Sequence, residues 1–485
     1  MRTEQPILAS KLLVWTFMAY LGVLPMAGTI ALRHLLMVVA LLLAVFVAFV
    51  SFRHKSLVAC RNLAIPWLPL GAWWSYLCIF PLISESPDVA WHSFRVDWLM
   101  SIGAGILGLI CASIATLQGP SIFALGVACM VPVFVHWTLI LFHWSGLLGP
   151  SAPLVMTWPE IWDALQTQWN AGWNVGIGHG NFLSPFRGFD PNHGNQGLAA
   201  TQSVALLLPL ILTGWFQRNR HHAVLAFAGL AVCFGSVVIA MSRGALIFCS
   251  LVVLSGLALQ LLRSDWHFSV RISGFYGVVL AMILGLGGLA IAKDSRWMLM
   301  NDKIQAAWMV EDPVAYFCNG PTPELVQHVR SSLDGARAEH VEAVLVGLSD
   351  DGGRLLAARS GLDLVAEHPW GLDGSRHVFK HLIQEACNGV PKIEFAHSHN
   401  GWIDLLLALG WMGAGLYLTV FLAMMVWGFR RFLQNPSNPW AQALLLTLVF
   451  WLFRGLVDSV YREHALMMQT ALITYLAGRT WLTKA

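Results

Sequence analysis

Apolar runs of roughly 18 to 25 residues recur along this chain, the length a helix needs to cross a hydrocarbon layer about 30 Å thick. They predict spans at 11–30, 33–52, 64–83, 97–117, 121–145, 197–216, 222–241, 244–262, 272–292, 404–429, 438–457 and 464–482, about twelve helices in all. With 57% hydrophobic and 11% charged residues, the chain has too few polar side chains to cover a surface wholly exposed to water. The first run has no small-x-small exit, so it reads as a retained span rather than a cleaved leader. The expected fold is an all-α polytopic membrane protein.

Lys and Arg in short loops stay on the cytoplasmic side. Threading from a cytoplasmic N-terminus keeps Arg53, Lys55, Arg61, Arg218, Arg220, Arg263, Arg271, Arg430 and Arg431 inside, whereas the reverse threading exports them. Both termini are then cytoplasmic. The net charge of +3 is mostly topology: it calls for membrane lipid as a partner and gives no reason for nucleic acid. Trp73, Trp74, Trp91, Trp98, Trp158 and Trp440 lie near predicted span ends, where indole rings favour the lipid–water interface. The eight cysteines form no CxxC pair or Cys/His spacing, so a zinc site is not expected. Cys318 and Cys387 share a Cys-Asn-Gly setting in one outer segment, and a disulfide between them is one of two open readings.

The membrane pattern breaks twice on that outer side. The N-terminal spans (1–292) carry a loop near 146–196, a large segment fills 293–403, and the last spans occupy 404–485. The large segment holds 15 of the 26 acidic residues, from Asp294 to Glu394, and its apolar residues recur at helical spacing, as in Leu355, Leu356, Leu362 and Val365. It is expected to be a helical cap. His368-Pro369-Trp370-Gly371 closes a helix that begins near Arg354.

The densest polar stretch at a span entrance is His397-Ser398-His399-Asn400-Gly401-Trp402-Ile403-Asp404, followed by Gly410-Trp411-Met412-Gly413. An interfacial histidine commonly just hydrogen-bonds headgroups or backbone. Imidazole also titrates near neutrality and can take a proton from a hydroxyl. The glycines at 410 and 413 would let another helix approach. Arginine at membrane depth is costly and needs an anion, and guanidinium grips phosphate bidentately. Arg243 lies between two apolar spans on the outer side, Arg354 brings a second cation from the cap, and Arg187, Arg95 and Arg454 are further outer cations. The commonplace alternatives are snorkelling for Arg243 and a surface salt bridge for Arg354.

His399-Asn400, nine residues, then Gly410-x-x-Gly413 fits the pattern His-[Asn/Ser/Gln]-x9-Gly-x-x-Gly of bacterial O-antigen ligases, and the chain resembles that family. Met241-Ser242-Arg243-Gly244, the helix from Arg354 to His368-Pro369-Trp370-Gly371, and Asp190-Pro191-Asn192 before a span extend the likeness to the wider O-antigen ligase and polymerase superfamily, over roughly residues 185–415. The resemblance implies a GT-C-like membrane glycosyltransferase in the bacterial inner membrane, with its site facing the periplasm. It implies an undecaprenyl diphosphate-linked polysaccharide as donor and lipid A-core as acceptor. His399 is then the expected base, with Arg243, Arg354 and Arg187 on the diphosphate, and Asn400, His397, Asn192 and Arg95 in support. His397 is the alternative base. No cofactor is expected. No Asp-x-Asp or related carboxylate pair occurs to hold a divalent cation, so arginines are expected in place of a metal. Two other readings stay open: an O-antigen polymerase or protein O-oligosaccharyltransferase, which differs in acceptor, and an anion transporter, which would show internal repeats and broken helices that the sequence lacks.

Overall fold

The structure is a computed structural model and describes residues 5–26, 28–53, 64–118, 121–149, 155–172, 188–189, 193–214, 220–262, 270–293, 297, 299–332, 340–348, 351–461 and 463–482. Almost all of these residues are helical. The strands among them are β1 (Val155–Met156) and β2 (Gly188–Phe189), paired in parallel.

Every stretch expected to span contains helix. In chain order these are α1 (Gln5–Val23), α2 (Ile30–Arg53), α3 (Ala64–Ile83), then α4 (Pro87–Ser93) and a π-turn (Phe94–Trp98) leading into α5 (Leu99–Gln118). The bent pair α6 (Ile122–Cys129) and α7 (Val131–Trp144) follows, then the surface helix α8 (Trp158–Asn170). The series continues with α9 (His193–Gly214), α10 (Arg220–Ile239), α11 (Arg243–Leu261) and α12 (Val270–Lys293). Among the described residues five helices are long and apolar enough to cross a membrane, or six if the pair bent by 46° is one span, and four shorter apolar helices accompany them. The architecture is that of an all-α membrane protein.

Small residues and hydroxyls close the helix contacts, as expected where lipid supplies no hydrophobic drive between helices. The helix α21 (Glu463–Leu482) lies so close to α5 that a Cβ on Gly108 would meet the Ala471 carbonyl oxygen at 2.2 Å. Thr474 donates to the Gly105 carbonyl at 2.8 Å and Thr470 to that of Ser101 at 3.0 Å. The buried helix α9 is tied to α20 (Pro439–Gly455) through Gln202, which donates to Thr447 at 3.0 Å and accepts from Trp451 Nε1 at 2.8 Å. These polar contacts fix α20, whose last turn carries Arg454.

The segment expected as a cap contains α13 (Met300–Met309), α14 (Pro313–Asn319), α15 (Pro323–Ser332), α16 (Val341–Gly347), α17 (Asp351–Glu367) and α18 (Val378–Ala386). Its core stacks Phe317 edge-on against Phe379 and Phe395. Cys318 and Cys387 are disulfide-bonded, joining the ends of α14 and α18.

Tryptophan placement departs from expectation. Trp73 is fully buried, edge-on to Trp98 and 4.5 Å from the Tyr417 ring, and Trp98 and Trp440 are buried as well. Trp73 fills a helix–helix contact, because α3 is covered on that side by α19 (Gly401–Gln434) instead of facing headgroups, and Trp98 donates to the Gly374 carbonyl at 3.0 Å.

Candidate active site

α19 is two helices joined at Gly410, whose φ of 70° and ψ of −179° lie outside the helical region. The His368-Pro369-Trp370-Gly371 turn inserts at that break: Trp411 N–H donates to the Pro369 carbonyl at 3.0 Å, and a Cβ on Gly410 would sit 2.3 Å from Trp370 backbone. Gly371, at φ 76°, meets Gly410 N at 2.3 Å in the same way. On Gly413 a Cβ would meet the Tyr76 ring of α3 at 2.7 Å. Only glycine supplies both the positive φ and the clearance. Of the two expected close approaches, Gly413 therefore admits a neighbouring helix, whereas Gly410 admits the cap's turn.

At the start of α19 the chain makes a tight polar turn. His399 is left-handed, with φ 55°, a conformation that costs a non-glycine residue of order 1–3 kcal/mol and persists only where its surroundings hold it. Ser398 Oγ donates to the Asn400 carbonyl at 2.9 Å and accepts from Asn400 N–H at 3.2 Å. His399 N–H donates to His397 Nδ1 at 3.3 Å, and the two rings stand 4.2 Å apart, tilted by 69°. Asn400 is the N-cap: its Oδ1 accepts from Trp402 and Ile403 N–H at 3.0 and 3.2 Å, while its Nδ2 donates to the Leu456 carbonyl at 3.0 Å. The side chain expected to orient imidazole or sugar is thus engaged in starting the helix and strapping it to the end of α20.

That strap brings in the loop between α20 and α21. Gly401 N–H donates to the Asp458 carbonyl at 3.1 Å. The Asp458 carboxylate accepts from Arg454 Nη2, one helical turn earlier, and from Ser459 N–H at 3.0 Å. Burial pushes the Asp458 carboxyl upward, but Arg454, then Arg354, His399 and His397 outweigh it and hold it at about 2. One carboxylate is thereby within electrostatic reach of two guanidiniums and both imidazoles.

Arg354 projects, exposed, from the first turn of α17. Its neighbour Gly353 is pressed so close to Phe395 that a Cβ would lie 2.5 Å from the ring, and Phe395 in turn stands edge-on to His399 at 5.3 Å. Two turns further along α17, Gly361 packs on Ile403 and Ser398, fixing the cap against the His399 turn. Arg243 opens α11 after a left-handed Met241, φ 52°. Its guanidinium lies over the Trp297 ring at 5.8 Å, while Arg454 Nη1 is 3.4 Å from where a Cβ on Gly244 would be. Arg454 also covers Phe248 of α11 at 5.3 Å.

Of the residues expected from sequence, His399, His397, Asn400 and Arg354 converge, whereas the Arg243 guanidinium lies over Trp297 and its neighbour Gly244 packs near Arg454. Arg95 is exposed on the π-turn with its Nε bonded to the Trp91 carbonyl at 3.2 Å, and no described contact joins it to this cluster. Arg187 and Asn192, with the Asp190-Pro191-Asn192 stretch, lie outside the described residues. Asp458 and the anchoring role of Asp404 were not anticipated; the available signal was the Arg454-x-x-x-Asp458 spacing at a span's end. Among the described residues no three His, Cys, Asp or Glu side chains gather as a metal cage.

Guanidiniums on two elements, Arg354 of α17 and Arg454 of α20, beside a half-buried imidazole can hold a polyanion and accept a proton beside it. Comparison with curated proteins returns no match. Residues 228–418, which run from α10 through the cap and the His399 turn into α19, match the family described as O-Antigen ligase, and over that segment the chain is similar to the O-antigen ligase superfamily.

Proposed function

We propose that the protein is an O-antigen ligase of the bacterial inner membrane. It transfers a polysaccharide from undecaprenyl diphosphate to a sugar hydroxyl of lipid A-core on the periplasmic side. The observation that carries this reading is the convergence of His399 with Arg354, Arg454 and Asp458 in the segment shared with the family and the loop strapped to it. His399 takes the acceptor hydroxyl proton as the acceptor oxygen bonds to the anomeric carbon. The bond from that carbon to the diphosphate oxygen breaks, and its electron pair leaves with the lipid diphosphate. A single displacement of this kind inverts the anomeric centre.

Negative charge grows on the leaving diphosphate, so the largest stabilisation comes from cations already in place. Arg243 and Arg354 supply it from opposite sides, the span and the cap, in place of a divalent metal. Arg454 is neutralised in part by Asp458, which suits it to orienting this corner of the site. His397 steadies the His399 backbone through its Nδ1.

Purified chain given lipid-linked polysaccharide and lipid A-core, with and without EDTA, tests the reading. Transfer to lipid A-core that survives EDTA is expected. Transfer only to a second repeat unit or to a peptide hydroxyl would replace the ligase assignment with a polymerase or protein-directed one, and uptake without transfer would replace it with a transporter.

A further inference from the structure

Asp404 lies in the first turn of α19, four residues after its Asn400 cap, and its two oxygens hold two different parts of the molecule. Oδ1 accepts from the Ser398 backbone N–H at 3.0 Å, immediately before the left-handed His399. Oδ2 accepts from the Ser459 hydroxyl, and the N–H of that serine donates to Asp458 at 3.0 Å. The carboxylate thus bridges the turn that carries the imidazole and the loop that carries its facing carboxylate. Asp404 and Ser459 also line a small, partly enclosed cavity that Asp97, Arg376 and Tyr461 help to form. His399 is not part of that lining, so Asp404 reaches the site through its neighbours.

A left-handed histidine reverts to ordinary backbone conformations unless bonds on both sides oppose it. On the C-terminal side the Asn400 cap and the Gly401–Asp458 bond do so. On the N-terminal side the Ser398 N–H bond to Asp404 fixes the backbone from outside the turn. We propose that Asp404 is the positioning residue of the site, holding the His399 imidazole in register with Asp458 through Ser398 and Ser459. This rests on His399 acting as the base in transfer.

The test is steady-state transfer by the full-length protein in lipid nanodiscs, comparing wild type with Asp404→Asn, Asp404→Ala, Ser459→Ala and His399→Ala. Thermal unfolding and size-exclusion profiles identify the folded fraction. A misplacement of about 1 Å can cost on the order of 100-fold in rate, so Asp404→Ala is expected to lower kcat by about 10- to 100-fold, with KM for both substrates within about twofold of wild type. Asp404→Asn keeps an acceptor for Ser398 but loses the carboxylate, and should recover part of the loss. Ser459→Ala, which frees one end of the bridge, should cost about threefold. Folded Asp404→Asn and Asp404→Ala with unchanged kcat, or with a loss confined to KM, would overturn the proposal while leaving the base intact. Full activity in His399→Ala would instead remove the reading on which it stands.

Discussion

α11, α19 and α20 carry polar residues at one end and line an apolar groove further along, and the two regions differ in almost every respect. At one end the three helices present Arg243, the His399 turn and Arg454 with Asp458. Further along they line an open apolar groove with Leu259 and Leu262, Met425 and Phe429, and Leu445 and Val449. The apolar region is regular helix. The polar end is built from irregular backbone: left-handed Met241 before Arg243, left-handed His399, the break at Gly410, and a loop strapped by the Asn400 amide. Charge at membrane depth is costly, and backbone away from helix needs partners. The site is therefore confined to a place where cap, turn and loop supply those partners to one another.

The contrast breaks first if the arginines are removed. Arg243→Ala combined with Arg354→Ala should reduce transfer by about 1,000-fold, since each charge-assisted contact to phosphate is worth about 1.5–3 kcal/mol. Arg→Lys at either position should cost about tenfold, because ammonium keeps the charge but loses the bidentate fork. Equal rates in the lysine variants would show that only net charge matters.

Asp458→Asn sharpens the same comparison through stability. It leaves Arg454, only 10% exposed, without its carboxylate partner, so the unfolding midpoint should fall, by an amount equivalent to about 1–3 kcal/mol. The pH dependence follows from the depressed Asp458 carboxyl. Its stabilisation is fully present above the ordinary carboxylate value near 4 and is lost as pH falls toward about 2. Thermal unfolding measured between pH 5 and pH 2.5 should show a slope that is reduced in Asp458→Asn; parallel curves would remove the ion pair from the account. In the apolar groove, Val426→Ala, at a position 52% exposed, should leave transfer within about twofold and stability within about 0.5 kcal/mol.

What could be read from the sequence follows the same divide. Helices and the Gly410/Gly413 spacing were legible, because hydrophobic period and glycine chemistry are local. His399, Arg243 and Arg354 were proposed from short motifs. The role of Asn400 as a cap carried a local signal too, an Asn directly before an apolar helical run. Asp458 was not legible as a partner of His399, because the two meet across 59 positions of chain, through an unpatterned loop. Trp73 was misplaced for a related reason: position near a span's end predicts an interface only where no other helix covers it, and α19 covers it.

The most direct test of the central claim is single-turnover transfer by His399→Ala, with donor binding measured separately on the same preparation. General base removal should slow the chemical step by about 100- to 10,000-fold while donor affinity stays within about twofold. A wild-type rate in His399→Ala, or a loss explained wholly by weaker donor binding, would contradict the assignment of His399 as the base.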